Sequence, residues 1–317
     1  MPLDTESLLR RYRAARSRRS AWEGHWRECY EFTLPTRDGG SGAEGARRVD
    51  RLFDGTAADA VDQLAASLLA ELTPPWARWF GLAAGVELDG EERAAVAPLL
   101  DRTADIVRGH FDRSNFAIEM HQAYLDLVIA GTASLLFEEA PPGTASAFRF
   151  TAVPLSELVV EEGASGRLDV TFRRSEASLA TLRDRFPAAD LPESLRRRAE
   201  ADGEARFPVL EAVLPEPHGA GFAYTALLDP EGAGGEAVVL AQGTFARSPF
   251  ITFRWLKAPG EAYGRSPVMK TLPDIKTANH EVEGPEKTLN RALKHWRIWL
   301  FWLCLAGLHV AIASLLK

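Results

Sequence analysis

Glu261, Tyr263, Arg265 and Ser266 fall within eight residues, Gly260 to Pro267 (GEAYGRSP), and bring together an acid, a phenol, a guanidinium and a hydroxyl. Such a cluster could bind a phosphate or activate a nucleophile if the fold converged the side chains. The same stretch also spells a backbone junction. Gly260 and Gly264 are free to take positive φ, Ser266 is placed to cap a helix, and Pro267 is placed at its first turn. Other reactive residue types are dispersed. The adjacent acids Glu138 with Glu139 and Glu161 with Glu162 would work as acid and base only if folding buried the two members differently; next to turn signals they are expected to be solvated. None of the seven histidines forms a helical ligand pair, and His280 with Glu281 and Glu283 includes neighbours whose side chains diverge on a helix. Neither a phosphate-binding G-x-x-x-x-G-K-[ST] nor a nucleophile elbow G-x-S-x-G occurs. Gly40, Gly42 and Gly45 match G-x-G-x-x-G but lack the flanking strand and βαβ pattern that dinucleotide binding needs. Glu138 and His121 are the residues left to nominate for a hydrolase, with no third group beside them. The expectation is a structural protein: no enzyme, no cofactor, no metal.

The elements that must position these residues are legible from periodicity. After Asp4 or Thr5 as cap, residues 5–33 predict a long helix on which Trp22, Trp26 and Tyr30 recur every four residues. Arg13, Arg16, Arg18 and Arg19 precede this stripe rather than interleave with it, so the rings are assigned to packing and not to stacking on bases. A second helix starts near Asp54 or Thr56, presents Val61, Leu64, Leu68 and Leu69 on one face, and stops at Pro74 and Pro75. Trp76, Trp79 and Phe80 just beyond are expected to dock into a core or a neighbouring subunit, the core being the first expectation. Two more helices, about 91–112 and 116–130, flank Ser114 or Asn115, either of which can end one and cap the next. Strands follow at 147–153, 157–161 and 168–173, then a charged helical pattern over 175–201 broken by Pro187 and Pro192. Four more β-like runs lie at 208–214, 221–228, 236–243 and 249–256. The helix that resumes at Ser266 contains Pro273, which predicts a kink or a new first turn. The fold class is α+β, with a β-rich insertion between helices.

At 317 residues, 46% hydrophobic and 26% charged, the chain can bury a sizeable core. Its formal charge of −7 argues against broad phosphate neutralisation, although loose contact with DNA is compatible with it. Cys29 and Cys304 lie near opposite ends, which supports neither a disulfide scaffold nor a cysteine zinc site and fits a reducing compartment. The N-terminal stretch has no apolar core behind its charges, so no secretory signal is expected. Residues 298–316 contain no Asp, Glu, Lys or Arg and approach the length of a membrane span.

Several stretches together resemble the head-to-tail connector, or portal, proteins of short-tailed phages and prophages: AWEGHWRECYEFTLPTR, LFDGTAADAVDQLAASLLAELTPPWARWFGL, DRSNFAIEMHQAYLDLVIAGTASLLFEE, PLSELVVEEGASGRLDVTFRR and PFITFRWLKAPGEAYGRSPVMKTLPDIKTAN. The positions carrying the resemblance include Trp22, Trp26, Asp54, Thr56, Pro74, Pro75, Trp79, Gly260, Glu261, Tyr263, Gly264, Arg265, Ser266, Pro267 and Asp274. The resemblance implies a wing at 1–175, a first stem segment at 176–204, a β-rich clip at 205–256 and a second stem segment at 257–292. It further implies a dodecameric ring in a virion, assembled in the bacterial cytoplasm with capsid, terminase and tail adaptor proteins, through which double-stranded DNA passes without sequence recognition. An acidic balance suits a lumen that must not grip phosphates.

The resemblance fades after about Glu283, and residues 293–317 depart from it. Three explanations are open: an inner-membrane anchor, flanked by Arg291, Lys294 and Arg297 and carrying His309 within its run; a helix buried between subunits; or translation of a shifted frame in a truncated prophage gene. The shifted frame is the expectation, because it explains both the loss of resemblance and the change in composition. The alternative function is a tail-anchored membrane protein with a soluble cytoplasmic domain.

Overall fold

Leu8, Leu9, Tyr12 and Ala15 recur at helical spacing and are buried, as are Trp26, Cys29 and Tyr30 further on, so one long helix, α1 (Thr5–Glu31), serves two cores in succession. The computed structural model describes residues 4–37, 52–85, 87–163, 166–216, 221–229 and 237–283. The glycine motif at 40–45 and the apolar run at 298–316, with the three explanations for it, lie outside the described residues. Among the described residues no helix is long and apolar enough to cross a membrane.

The chain continues through α2 (Thr56–Leu72), α3 (Gly90–Arg113) and α4 (Phe116–Ala130), then β1 (Thr132–Glu139), β2 (Phe148–Ala152), β3 (Leu158–Glu161) and β4 (Val170–Ser178). The short helices α5 (Leu179–Arg185) and α6 (Glu193–Ala201) follow. Next come β5 (Arg206–Pro215), β6 (Phe222–Leu228), β7 (Val238–Phe245), β8 (Phe250–Arg254) and finally α7 (Pro267–Glu283). The fold is α+β, with two antiparallel sheets ordered β2-β1-β8 and β3-β4-β5-β6-β7.

The five-stranded sheet is covered on both faces, which is why β5 is apolar along nearly its whole length. Its residues Leu210, Ala212 and Leu214 pack under the N-terminal half of α1 with Val159, Phe172 and Leu227. The alternate residues Phe207 and Val209 pack under Leu182, Phe186 and Leu195 of α5 and α6. The second half of α1 joins α2, α4, α7 and the three-stranded sheet around a larger core containing Val61, Leu68, Ile129, Leu135 and Leu272.

Three features differ from the sequence expectations. Residues 132–139 form the central strand of the smaller sheet, pairing Leu135 with Ala152 and Leu136 with Phe250, whereas the pattern changes at GTASLLFEEA but predicts strands only from 147 onward. β8 joins this sheet rather than the strands that precede it in sequence, while β3 and β4 join β5–β7 in the larger sheet. Pro273 lies inside α7, which continues past it and does not start anew there; proline removes the one donor that would have reached Met269.

Phe172 is fully buried and its ring lies 5.6 Å from that of Tyr12. Phe172→Ala is therefore expected to cost about 3–5 kcal/mol in urea unfolding. A loss below about 1 kcal/mol would show that α1 is not seated on this sheet as described.

Candidate functional site

α4 ends at Gly131, whose φ of 76° is the left-handed helix-terminating conformation and whose N–H donates to Leu127 O at 3.0 Å. Gly264 of the GEAYGRSP stretch meets it backbone to backbone. A Cβ on Gly264 would lie 2.1 Å from Gly131 O, and one on Gly131 would lie 2.4 Å from Gly264 O. Gly264 is not among the glycines with positive φ, whereas Gly260 is, at 79°. The expectation of backbone freedom thus holds at Gly260 and is corrected at Gly264, where close approach is what excludes a side chain.

Hydrogen bonds surround the contact. The Trp255 N–H donates to Gly131 O at 2.9 Å, the Gly264 N–H donates to the buried Thr132 Oγ1 at 2.8 Å, and the Arg265 N–H donates to Leu256 O at 2.8 Å. Ser266 Oγ donates to Ile129 O at 2.7 Å and accepts from the Met269 N–H at 2.9 Å. It therefore caps α7 while tying that helix's start to the end of α4. The hydroxyl is buried and has no histidine among these partners, so it is placed as a fastener rather than a nucleophile.

The aromatic stripe of α1 packs directly on this junction. The Tyr263 ring meets Trp26 edge-on at 4.9 Å and lies 6.0 Å from Trp22, and its Oη accepts from the Val160 N–H at 3.1 Å. Burial pushes the Tyr263 hydroxyl up to about 12, so it stays a phenol at neutral pH. The Arg265 guanidinium stands 4.6 Å from the centre of Trp22 and pairs with Glu261, whose carboxyl is held below its usual range by the hydrogen bond from Arg265.

A cleft of about 760 Å³ opens between α1, β3 and this return loop, and its charges are already paired. Glu161 receives Arg11 and Arg18 from α1. Glu162 receives Arg254 at 2.8 Å and Lys257 at 2.6 Å, and the Arg254 hydrogen bond leads the causes that lower its carboxyl pKa. These two acids are ion-paired across elements rather than simply solvated. Glu138 pairs with Arg149 at 2.9 Å on the smaller sheet.

Other sequence candidates sit at separate corners. Asp54 Oδ1 accepts from both the N–H and the Oγ1 of Thr56 at the start of α2, while the buried Asn279 of α7 accepts from the Phe53 and Asp54 N–H groups. Pro74 and Pro75 follow the end of α2; Trp79 stacks on Phe116 at 5.8 Å, and Trp76 is 75% exposed and so does not dock into this chain's own core. Asn115 does not cap α4 with its side chain but bonds both backbone groups of Phe150, and Ser114 Oγ accepts from the Phe116 N–H instead. Pro267 opens α7, and Asp274 is exposed on it. Sequence reasoning missed Asp126, a lone acid in the apolar AYLDLVIA run. It is buried and accepts from Tyr30 Oη at 2.8 Å and Arg37 Nε at 2.7 Å beside a cavity of about 380 Å³. Among the described residues no group of three His, Cys, Asp or Glu side chains is arranged to hold a metal ion.

The two glycines of the return loop should respond differently to alanine. Gly264→Ala must displace backbone and is expected to lower stability by more than about 3 kcal/mol, whereas Gly260→Ala, with open space around it, should cost only about 1–2 kcal/mol of φ strain. Equal melting temperatures for the two variants would contradict the close approach.

The chain matches the model of the bacteriophage head to tail connecting protein family over residues 5–294. It is 26% identical over 289 residues to a probable portal protein of Bordetella phage BPP-1, an alignment covering 86% of this chain and 50% of that one. Identity to the portal protein of Escherichia phage T7 is 22% over 280 residues, covering 84% and 49% of the two chains. Identity to the portal protein of Enterobacteria phage T3 is 24% over 271 residues, covering 82% and 48%. The chain spans about half the length of these curated relatives. The family match runs from the first helix through the glycine junction and α7, and on that basis the chain belongs to the bacteriophage head-to-tail connecting protein family.

Proposed function

We propose that this chain is a structural subunit of a phage portal: a ring, dodecameric as the resemblance implies, that joins capsid to tail and lets double-stranded DNA pass in both directions without reading its sequence. The observation that carries this reading is the family match over residues 5–294, which includes every element described. Its physical support lies in how the reactive residue types are used. Glu261, Tyr263, Arg265 and Ser266 are used in an ion pair, a buried ring contact and a helix cap that fix a junction, as a structural component requires. Capsid protein, terminase and tail adaptors are the partners in this reading, and the virion is the site of action after assembly in the host cytoplasm.

Electron microscopy and native mass spectrometry of the purified full chain test the proposal. Closed rings with a central channel are expected, since a repeated heterologous contact that closes on itself gives a ring. Monomer mass at every concentration, or recovery only in carbonate-resistant membranes without rings, would overturn it.

A further inference from the structure

Six arginines fall within residues 10–19 of a chain whose formal net charge is −7, and no acid lies among them. α1 sorts them by face. Arg19 is buried and donates to Ser156 O at 3.0 Å and Leu158 O at 2.9 Å, while Arg11 and Arg18 are both engaged by Glu161. Arg10, Arg13 and Arg16 remain exposed, and Arg27 continues the same side of the helix. With the exposed Ser17, Ser20 and Gly24 between them, these four occupy one arc of about 120° that runs for about 25 Å along the axis. Glu23 beside that arc is taken up by Arg19 at 3.2 Å; Glu6 before the row and Glu28 and Glu31 after it lie on the same side of α1, Glu28 paired with Lys276 at 2.8 Å. Among the described residues Arg10 donates to Ser7 Oγ, and Arg10, Arg13 and Arg27 form no ion pair.

We propose that this face of α1 binds the phosphate backbone of double-stranded DNA without reading bases. The partner class rests on the proposed role in DNA passage; the surface itself rests on the arc. A row of cations about 25 Å long spans about seven base-pair rises of duplex axis at 3.4 Å each, and it meets the phosphates on the side of the duplex that faces it. The serines and glycine between the arginines leave a low ridge over which a polyanion can approach closely. The arc carries no large apolar side chain, so it lacks both the wedge that an interfacial membrane helix buries and the apolar centre of a protein interface. Net acidity does not oppose this, because counterion release depends on the phosphates contacted locally.

Fluorescence anisotropy of a labelled duplex with the full chain tests the proposal across a salt series, on two unrelated sequences. Equal affinity for both is expected, falling linearly in logarithmic plots as salt rises. The triple variant Arg10→Gln, Arg13→Gln, Arg27→Gln should lower the slope by about 0.9 per arginine and weaken binding roughly tenfold per arginine at about 0.1 M salt. The matching triple lysine variant should retain the slope. Rings are scored in the same samples: loss of duplex binding by glutamine variants that still form rings supports the surface. Arginine-dependent duplex binding by a chain that forms no rings also supports it, and fails only the ring reading. The surface is overturned if the unmodified chain does not bind the duplex at low salt, if the glutamine variant binds as tightly, or if phosphatidylserine vesicles bind with the same arginine dependence and displace the duplex.

Discussion

The carbonyl of Gly131 and the α-carbon of Gly264 approach so closely that no side chain fits at either position, and the placement of three segments follows from that contact. Gly131 ends α4 and starts β1; Gly264 precedes the cap of α7; Trp255, just past β8, donates to the same Gly131 carbonyl. Ser266 then fixes α7 against the last turn of α4, and Tyr263 reaches across to Val160 beside β4. A methyl group at either glycine would separate the chain ends that these bonds join. The aromatic stripe of α1 covers the contact, so the first helix and the last described helix are held by one junction although they lie far apart in sequence.

Charge is used in the same way. Glu161 and Glu162, adjacent in sequence, point to different partners: one to two arginines of α1, the other to Arg254 and Lys257 of the return strand and loop. Exposed pairs of this kind add little stability singly, but here each acid bridges elements that meet at the glycine contact, so they fix orientation more than they add energy. Inside the sheet, the buried Glu211 meets Arg185 of α5 at 2.6 Å and Tyr224 Oη at 2.9 Å, anchoring the short helices that cover that face. Removing Arg185 or Tyr224 alone would leave the acid underpaired, the costly way to break such a group.

Much of this was legible in the sequence because it is local. Ser266 followed by Pro267 marks the start of α7, Pro74 with Pro75 follows the end of α2, and the four-residue spacing of Trp22, Trp26 and Tyr30 places them on one buried face. What escaped was decided by distant partners. β1 is hidden because TASLL prolongs the apolar pattern of α4, with Gly131 as the only punctuation. The partner of β8 is a strand more than a hundred residues earlier, a choice that no local pattern encodes. Gly264 looks in sequence like a turn glycine, since positive φ and close approach leave the same letter. Asp126 could have been suspected from its isolation among apolar residues, but its partner Arg37 could not.

Amide hydrogen exchange tests the glycine junction most directly. The N–H groups of Gly264, Trp255 and Arg265 should exchange as slowly as that of Phe172 in the centre of the larger sheet, opening only when the whole molecule unfolds. Exchange of these amides at the rate of an open loop, with Phe172 still protected, would contradict the claim that the junction holds the fold together.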